Sequence, residues 1–504
     1  MEFLIGIDVG TSNVKAVLFD KEGHEKKVAM RKNEPLHLGD SKVEQDMNVL
    51  WDKVLSCLKE VSEFAKGNKI LGIGLTGQGE GCWLVDKEGK PISQSLLWSD
   101  GRAKGLVDKI VDNKDLYNTI YSHTGTPPLT GTALTLLMWS KENRPEILEK
   151  ADKIMFAKDW IRYKLTGEIA LESSDAGTSL LNIDTLEFEE SLFDKVGLSE
   201  YKHLISSVNK SYEIAGNLTS EVANVLNLPE ETPVSYGALD VIATTMGVGA
   251  IHPGDICTIL GTTCATNIVT DVIEAGKENS RFEKHILDNM YVDLKPTMSG
   301  TTNIDWLFQT VAKDLSYQEV DENLITLPPV PTGVIYHPYL STAGERSPFY
   351  DSNARSSFFG LNNGTDRFSM IKSVYEGIGF SIRDCLEYAN VNENSVIYLA
   401  GGGAASKAWK QIIADITGLT IVVLEGTEFA AKGSIMGMAV TLGLYETFED
   451  ATRSMTHANE VYHPINENAV IYNEFYGLYK TLRNGYTELW AERTKILEKL
   501  NRGE

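Results

Sequence analysis

Residues 3–19 read FLIGIDVGTSNVKAVLF and are predicted to form a β-hairpin around a polar turn. The first apolar run is too short for a helix, and a second apolar run begins directly after the turn. Gly10 allows the tight bend, so the backbone N–H groups and side chains of Thr11, Ser12 and Asn13 can converge on one point. Convergent donors in a turn suit an anion such as phosphate.

A carboxylate ends the first predicted strand, because Asp8 stands two residues before Gly10. A bound phosphate would repel Asp8 unless a cation lay between them, so its position predicts a Mg²⁺ site that is filled largely through water. Lys15 would add positive charge. For one Asp-x-Gly-Thr motif alone, an ordinary hairpin with a solvated Lys15 remains an open alternative.

The pattern occurs a second time in residues 257–269, which read CTILGTTCATNIV. Gly261, Thr262 and Thr263 form the second predicted turn, again between two short apolar strands. Two phosphate-type turns in two similar halves suggest a nucleotide held between two domains. Asp8 has no acidic counterpart in this copy, so the metal belongs to the first half.

Length and composition narrow the class of protein. A chain of 504 residues with 42% hydrophobic residues predicts two domains of roughly 200 to 250 residues each. The formal charge of −23 argues against nucleic acid or an anionic membrane as a partner. Neither a signal peptide nor a membrane span is predicted, and the few cysteines, which form no Cys-x-x-Cys pair, predict reduced buried thiols in a cytoplasmic protein without a zinc site.

Two loops in the first half have the composition of a substrate site. Residues 76–81 read TGQGEG after a buried strand, so Gly79 leaves room for a ligand while Gln78 and Glu80 reach toward it. A simple turn between strands is the alternative. Trp98 and Asp100 suit a sugar or polyol, because a ring covers C–H surface and a carboxylate accepts from hydroxyls.

An ion pair between Asp100 and Arg102 is the structural alternative for that second loop. Asp240 is a further candidate, since it follows a predicted strand and lies near the start of a small-residue helix, where the helix dipole keeps a carboxylate ionised. A helix-capping role alone explains many such residues. Its place just before the second half favours a general base.

The second half contains further glycine-rich turns. We assign Gly300, before a predicted helix, to the nucleotide side. A predicted strand at 396–400 runs into Gly401, Gly402, Gly403 and, three residues later, Ser406, and then into a predicted helix at 407–417. This spacing predicts close backbone approach and a helix N-terminus that is free for a nucleotide. Residues 451–501 are predicted to be mostly helical and to pack on the outside.

In this order the motifs resemble those of the FGGY family of carbohydrate kinases, within the superfamily of sugar kinases, actin and chaperone ATPases. The resemblance spans nearly the whole chain and includes SSFFGL at 356–361 and SVYE at 373–376. It implies an α/β fold of two ribonuclease H-like domains with a cleft between them. The N-terminal domain would span 1–248, and the C-terminal domain 249–504 would end in a helical segment at about 451–504.

The resemblance implies ATP-dependent phosphorylation of a sugar or polyol hydroxyl, with Asp240 as the base and Mg²⁺ near Asp8. The sugar would contact the loops around Gln78 and Trp98 together with Asp240. The phosphates would be held by the two turns, and adenosine by residues 401–406. A homodimer is plausible for the family.

The expected substrate is inferred from positions at which this sequence departs from the family pattern. After Gln78, xylulokinase-like members usually carry Met-His and glycerol-kinase-like members Arg-Glu, whereas Gly79 and Glu80 stand here. The pattern is closer to erythritol and L-xylulose kinase-like members. We expect a pentulose of the xylulose or L-xylulose type. The alternatives are a polyol such as erythritol, a pentitol or glycerol, and an actin-like or chaperone-like ATPase that phosphorylates no sugar.

Overall fold

A computed structural model describes residues 1–274, 276 and 279–502. The chain divides into two compact units. Unit 1 comprises Met1–Ile251, Thr270–Val292 and Glu428–His457, and unit 2 comprises His252–Val269, Asp293–Thr427 and Ala458–Glu504. Residues 503–504, the end of the predicted C-terminal segment, lie outside the described residues.

The strands of the two units are short to medium in length and fall into several sheets. In chain order they are β1 (Glu2–Val9), β2 (Asn13–Phe19), β3 (Glu25–Lys32), β4 (Leu36–His37), β5 (Val43–Gln45), β6 (Lys69–Gly77), β7 (Trp83–Val85), β8 (Ser95–Leu96), β9 (Lys153–Met155), β10 (Leu171–Glu172), β11 (Val208–Asn209), β12 (Ile214–Asn217), β13 (Pro233–Ser235), β14 (Ala238–Leu239), β15 (Ile256–Leu260), β16 (Cys264–Thr270), β17 (Phe282–Lys284), β18 (Tyr291–Thr297), β19 (Ile335–His337), β20 (Ser357–Phe359), β21 (Val396–Ala400), β22 (Thr420–Leu424) and β23 (Ala458–Tyr462).

The helices vary more widely in length. They are α1 (Met47–Phe64), α2 (Lys104–Asp112), α3 (Lys114–Thr124), α4 (Ala133–Asn143), α5 (Pro145–Leu148), α6 (Ala157–Thr166), α7 (Ser173–Ala176), α8 (Glu190–Lys195), α9 (Ser220–Leu226), α10 (Asp240–Gly247), α11 (Thr302–Thr310), α12 (Tyr317–Thr326), α13 (Arg367–Leu386), α14 (Lys407–Thr417), α15 (Phe429–Thr441), α16 (Phe448–Met455) and α17 (Asn466–Arg502), with 3₁₀ turns at Ser199–Leu204 and Gly402–Ala405.

The main sheet of unit 1 confirms the predicted N-terminal hairpin. Strands β1 and β2 are antiparallel with Val9 opposite Val14, so the turn lies at residues 10–13. The sheet order is β12-β13-β6-β1-β2-β3, and β14 also pairs with β6. Strand β6 runs parallel to β1, which brings the ends of both strands to the same edge of the sheet.

One face of this sheet is covered by α1, whose Leu50, Val54 and Leu58 are buried in the core. Helices α10 and α15 pack closely against each other because each carries a glycine at the point where they cross. A Cβ on Gly433 would lie 1.8 Å from the carbonyl oxygen of Ala243, and a Cβ on Gly247 would lie 1.9 Å from that of Phe429. The position of α10, which begins at Asp240, therefore depends on these two glycines.

Unit 2 repeats the same local topology. Strand β15 is antiparallel to β16 and parallel to β21, as β1 is to β2 and β6. Strands β16, β15, β21, β22 and β23 lie side by side in that order. The second hairpin is thus confirmed, and the loop after β21 corresponds in topology to the loop after β6.

The C-terminal segment differs in part from its prediction. Strand β23 interrupts it and pairs with β22, while α16 belongs to unit 1. Tyr472 and Tyr479 of α17 are fully buried in the core of unit 2. The segment is mostly helical, as predicted, and most of the described side chains of α17 are exposed or partly exposed, while a stripe of aromatic side chains at helical spacing is buried.

Two simpler expectations concern the membrane and the cysteines. Within 1–274, 276 and 279–502, no helix combines the length and the apolar character that crossing a membrane requires. All five cysteines are free thiols in the interior, as predicted.

Candidate active site

Asp8 and Asp240 flank the same point of the sheet in unit 1. Asp8 of β1 is opposite Thr76 of β6, and Ala238 of β14 is opposite Thr76 on the other side. The Thr76 hydroxyl donates to the Ala238 carbonyl (2.8 Å), which holds β14 in place. Two carboxylates from distant parts of the sequence are therefore brought together by one residue of β6.

The pKa values of this pair follow from burial and, for Asp8, also from repulsion by the Asp240 carboxylate. Burial, and then the nearby Asp240 carboxylate, raise the pKa of Asp8 to about 7. Burial also raises the pKa of Asp240 to about 6, although the backbone N–H of Val241 donates to its Oδ1 (2.7 Å) and opposes the shift. Asp240 begins α10, as predicted, but its side chain stays available for chemistry, since the one donor to it among residues 1–274, 276 and 279–502 is the next residue of its helix.

Hydrogen bonds join the first turn to the 78–80 loop, which was predicted to bind substrate. The Thr11 hydroxyl donates to Oε1 of Gln78 (2.8 Å) and accepts from Nε1 of Trp98 (3.0 Å). Nε2 of Gln78 donates to Oε1 of Gln45 (2.9 Å). Ser12 is exposed and Asn13 half-buried, so the turn presents its backbone and these side chains to a ligand.

Lys15 has a fixed anionic partner within unit 1. Its Nζ lies 2.6 Å from Oε2 of Glu428, the residue that precedes α15. The ammonium group is therefore not simply solvated. Glu428 also raises the pKa of Asp8, so it contributes negative potential to the turn.

Glu80 is buried and is held in a left-handed conformation. Its φ is 58°, its backbone N–H donates to Oδ1 of Asp175 (2.8 Å), and its Oε2 accepts from Ala133 N (2.7 Å) and Ser179 Oγ (2.9 Å). A Cβ on the preceding Gly79 would lie 2.0 Å from Cδ1 of Leu239. The 78–80 loop is thus packed directly against the residue before Asp240.

The second substrate loop contains the ion pair that the sequence left open. Asp100 is fully buried, its Oδ1 accepts from Nε of Arg102 (2.8 Å), and its Oδ2 accepts from Val43 N (2.7 Å). Arg102 also pairs with Glu44 (2.7 Å). Trp98 is 45% exposed, so in this loop the ring is far more accessible than the carboxylate.

Sequence reasoning missed a buried polar layer beneath Asp240. The backbone N–H of Leu239 donates to Ser174 Oγ (2.9 Å), which in turn donates to Oε2 of Glu172 (2.7 Å). Carboxylate oxygens of Asp159, Glu172 and Asp175 lie 3.1 to 3.5 Å from Nζ of Lys158. Burial alone would lower the pKa of Lys158, but these three carboxylates outweigh burial and raise that pKa. The polar run ESSD at 172–175 was the available signal.

In unit 2 the predicted nucleotide turns converge at the ends of β15 and β21. Gly261 N–H donates to the Thr263 carbonyl (3.0 Å), and Thr301 N–H donates to the Gly261 carbonyl (2.7 Å). A Cβ on Gly300 would lie 2.5 Å from the carbonyl oxygens of Gly261 and Thr262. Gly401 adopts φ 91°, and a Cβ there would lie 2.6 Å from the Leu260 carbonyl oxygen.

The predicted free N-terminus of α14 is occupied. The carboxylate of Asp321 accepts from the Ser406 hydroxyl and from the backbone N–H groups of Lys407 (3.2 Å) and Ala408 (3.1 Å). That part of the prediction was wrong, because α12 supplies a carboxylate from a distant stretch. Gly401 and Gly402 are exposed, and a Cβ on Gly402 would meet no atom of the described residues within 4 Å.

Comparison with known proteins places these units in one family. The N-terminal domain of the FGGY family of carbohydrate kinases matches residues 3–247, and the C-terminal domain of that family matches residues 257–442. The chain is 30% identical to the xylulose kinase of Staphylococcus epidermidis (strain ATCC 12228 / FDA PCI 1200), over 98% of this chain and 99% of the relative. It is 29% identical to the erythritol kinase of Brucella abortus (strain 2308), over 97% of each.

Solved structures agree with the fold. The crystal structure of ligand-bound xylulose kinase from Lactobacillus acidophilus superposes with a TM-score of 0.91 at 24% identity, over 98% of this chain and 100% of that chain. The predicted α/β sugar-kinase fold is thereby confirmed. This protein belongs to the FGGY family of carbohydrate kinases and is an ATP-dependent phosphotransferase with an alcohol group of a sugar or polyol as acceptor.

Proposed function

We propose that this kinase transfers the γ-phosphoryl group of ATP to a hydroxyl of a pentulose, of the xylulose or L-xylulose type, with Asp240 as general base. The observation that carries this proposal is the placement of Asp240, which lies beside Asp8 and follows Leu239, the residue that packs against the 78–80 loop. A half-buried carboxylate with a pKa of about 6 is ionised at neutral pH and still basic enough to accept a proton.

The substrate class is supported by the relatives and by the loop. Several similar proteins carry the name xylulose kinase, and one is an L-xylulose/3-keto-L-gulonate kinase. A second candidate is a four-carbon polyol, because the chain is equally similar to an erythritol kinase. We assign the polyol contacts to Gln78, Gly79, Glu80 and Trp98. Asp100 acts through its neighbours, since Val43 and Arg102 already donate to it.

The residues present fit a Mg²⁺ ion near Asp8. Two neighbouring carboxyl groups with raised pKa values are a donor set that a hard cation stabilises. In the part of the chain that the structure describes, no three His, Cys, Asp or Glu side chains form a metal-binding group. This agrees with an ion held by one or two carboxylates and by substrate phosphates. When bound, the ion would neutralise charge on the phosphates.

For ATP, we assign the phosphates to residues 10–13 of unit 1 and to residues 261–263 with Gly300 of unit 2. Adenosine is assigned to residues 401–406, where Gly401 and Gly402 leave exposed backbone. Ser406 acts indirectly, since its hydroxyl donates to Asp321. We also propose that residues 1–248 carry the sugar site, the metal site and one phosphate turn, and that residues 249–504 carry nucleotide binding apart from the segment Thr270–Val292, which belongs to unit 1. The enzyme is proposed to be cytoplasmic and to form a homodimer.

In the proposed step, Asp240 accepts the proton of the attacking hydroxyl as its oxygen bonds to the γ-phosphorus. The bond from that phosphorus to the bridging oxygen breaks, and ADP leaves with the electron pair. Backbone N–H groups of the phosphate turns stabilise the charge on the transferring group.

The test is ADP release with ATP, Mg²⁺ and a panel of D-xylulose, L-xylulose, erythritol, glycerol and gluconate. We expect release that depends on a pentulose, and we expect Asp240→Asn to lower kcat by about a hundredfold or more. Asp112→Asn, at an exposed position, is the matched control. Sugar-independent turnover, or near-normal turnover of a folded Asp240→Asn variant, would remove the proposed mechanism.

A further inference from the structure

Strand β17 places an unusual carboxyl group in unit 1. Glu283 is fully buried. Nε of Arg281 donates to its Oε1 (2.8 Å), and a terminal nitrogen of Arg281 lies 2.7 Å from the same oxygen in an ion pair. The other oxygen, Oε2, has no hydrogen-bond partner among the described residues. A buried polar atom without a partner carries a substantial free-energy cost, so such an atom calls for an explanation.

A second such oxygen belongs to Glu80. Its Oε2 is satisfied, whereas its Oε1 has no hydrogen-bond donor within the described part of the chain. The nearby Thr178 hydroxyl lowers the pKa of Glu80 but donates to the Asp175 carbonyl instead (2.6 Å). Two elements far apart in sequence therefore each supply a buried acceptor to which no described residue donates a hydrogen bond.

The two acceptors are neighbours. Phe282 N–H donates to the Gly125 carbonyl (3.0 Å), which anchors β17 beside the loop that leads to α4, and α4 begins at the residue whose N–H donates to Glu80. Burial raises the pKa of Glu283, Arg281 opposes this shift, and the nearby Glu80 adds to it. The resulting pKa is about 7. Arg281 in turn lowers the pKa of Glu80 against the effect of burial.

This pair also lies close to the proposed base. The residue before Glu80 is packed against Leu239, and α7 joins the two sites because Ser174 accepts from Leu239 while Asp175 accepts from Glu80. A structural ion pair alone would leave no reason for two empty acceptors here. Hydroxyl groups of a bound molecule are the donors that such oxygens lack.

The surrounding charge limits which molecule can bind. Acidic groups outnumber basic ones in this part of unit 1: among the described residues, Glu80, Asp159, Glu172, Asp175 and Glu283 lie near Lys158, Arg162, Arg281 and Lys284. A ligand carboxylate would add a negative charge to this excess of acidic groups and would be repelled. A neutral polyhydroxylated ligand meets no such penalty.

We propose, resting on the proposed sugar phosphorylation, that Glu283 and Glu80 form a specificity pair that accepts hydrogen bonds from substrate hydroxyls remote from the phosphorylated one. The pair selects neutral ketoses and polyols and rejects sugar acids. Arg281 is the positioning residue, because it fixes one oxygen of Glu283 and leaves the other available.

The test compares wild type, Glu283→Gln, Glu80→Gln and the exposed control Glu187→Gln. We expect each of the first two substitutions to raise KM for D-xylulose, L-xylulose or erythritol by about tenfold, with kcat and the KM for ATP changed much less. Wild type should turn over gluconate at least about a hundredfold less efficiently than its best neutral substrate. A merely structural role would lower the melting temperature and leave KM unchanged.

Calorimetric titration of the same sugars, without ATP, separates this inference from the proposed function. Absence of sugar-dependent ADP release from wild type would overturn the proposed function, while sugar binding that weakens in both variants would still support the acceptor pair. Unchanged sugar affinity in folded Glu283→Gln and Glu80→Gln, equal use of gluconate, or no sugar binding at all would overturn the inference.

Discussion

The hydroxyl of Thr11 donates to Oε1 of Gln78 at 2.8 Å, so a residue of the N-terminal turn orients a side chain of the 78–80 loop. Trp98 Nε1 donates to the same hydroxyl at 3.0 Å. One small side chain therefore joins the proposed phosphate turn to both loops that we assign to the sugar. We therefore expect that a ligand bound at one of these loops changes the position of the side chains in the other loop.

Thr11→Val should lower kcat/KM for the sugar by about tenfold, because Gln78 Oε1 loses its donor and Trp98 loses its acceptor. Thr11→Ser keeps the hydroxyl and should stay near wild type. Steady-state kinetics with sugar and ATP varied in turn provide the measurement. Equal kinetics for the Val and Ser variants would contradict the coupling.

The pH profile should show an acid limb. Burial raises the pKa of Asp240 to about 6, and a general base works only when it is deprotonated. Activity should therefore be full above that pKa and fall as the pH drops through it. Asp8 titrates in the same range, so the loss of activity at acid pH reflects protonation of both carboxyl groups together.

The measurement is kcat/KM from about pH 5 to about pH 9, at low and at high Mg²⁺. Because a cation beside the two carboxylates favours their charged forms, more Mg²⁺ should move the limb to lower pH. A rate that rises toward acid pH would argue against a carboxylate base.

Gly433→Ala should disturb Asp240 from a distance. The new Cβ would lie 1.8 Å from the Ala243 carbonyl oxygen, so α15 must move away from α10. We expect a loss of about 1 to 3 kcal/mol in the free energy of unfolding, as is usual for overpacking, together with a lower kcat.

The matched control for this substitution is Gly105→Ala in α2, where a Cβ would meet no described atom within 4 Å. It should leave activity unchanged and stability equal or slightly higher, because alanine is the better helix former. Denaturant unfolding and kcat for both variants check the prediction. A Gly433→Ala variant as stable and active as wild type would show that the helix crossing tolerates the methyl group.

Lys158→Met should destabilise unit 1. The substitution leaves Asp159, Glu172 and Asp175 buried with fewer cationic partners, which costs about 3 to 5 kcal/mol when a buried pair is broken. Lys150→Met, at an exposed position, should have little effect. Urea unfolding of the two variants is the measurement, and equal midpoints would contradict a paired role for Lys158.

Local patterns were sufficient for much of the fold. The sequence pattern predicted the strand at 396–400 and the helix at 407–417 with the bounds that the structure has. Both hairpins followed from short apolar runs around a Gly-Thr turn. These elements depend on neighbours in sequence, which is why a sequence pattern can reveal them.

The failures involve partners that are distant in sequence. Lys15 was expected to face solvent or phosphate, yet Glu428 lies 2.6 Å away. Asp321 caps the helix that was expected to have a free N-terminus. No local pattern specifies a contact between residues that are so far apart in the sequence.

The sequence alone determined the family, the kind of chemistry and the candidate base, because turn residues and strand patterns act over a few positions. Only the tertiary structure decided which charges neutralise one another and which buried oxygens stay unused. It did so because β6, α7 and β17 meet through packing. Long-range packing sets burial, and burial sets both the pKa of a carboxyl group and its need for a partner.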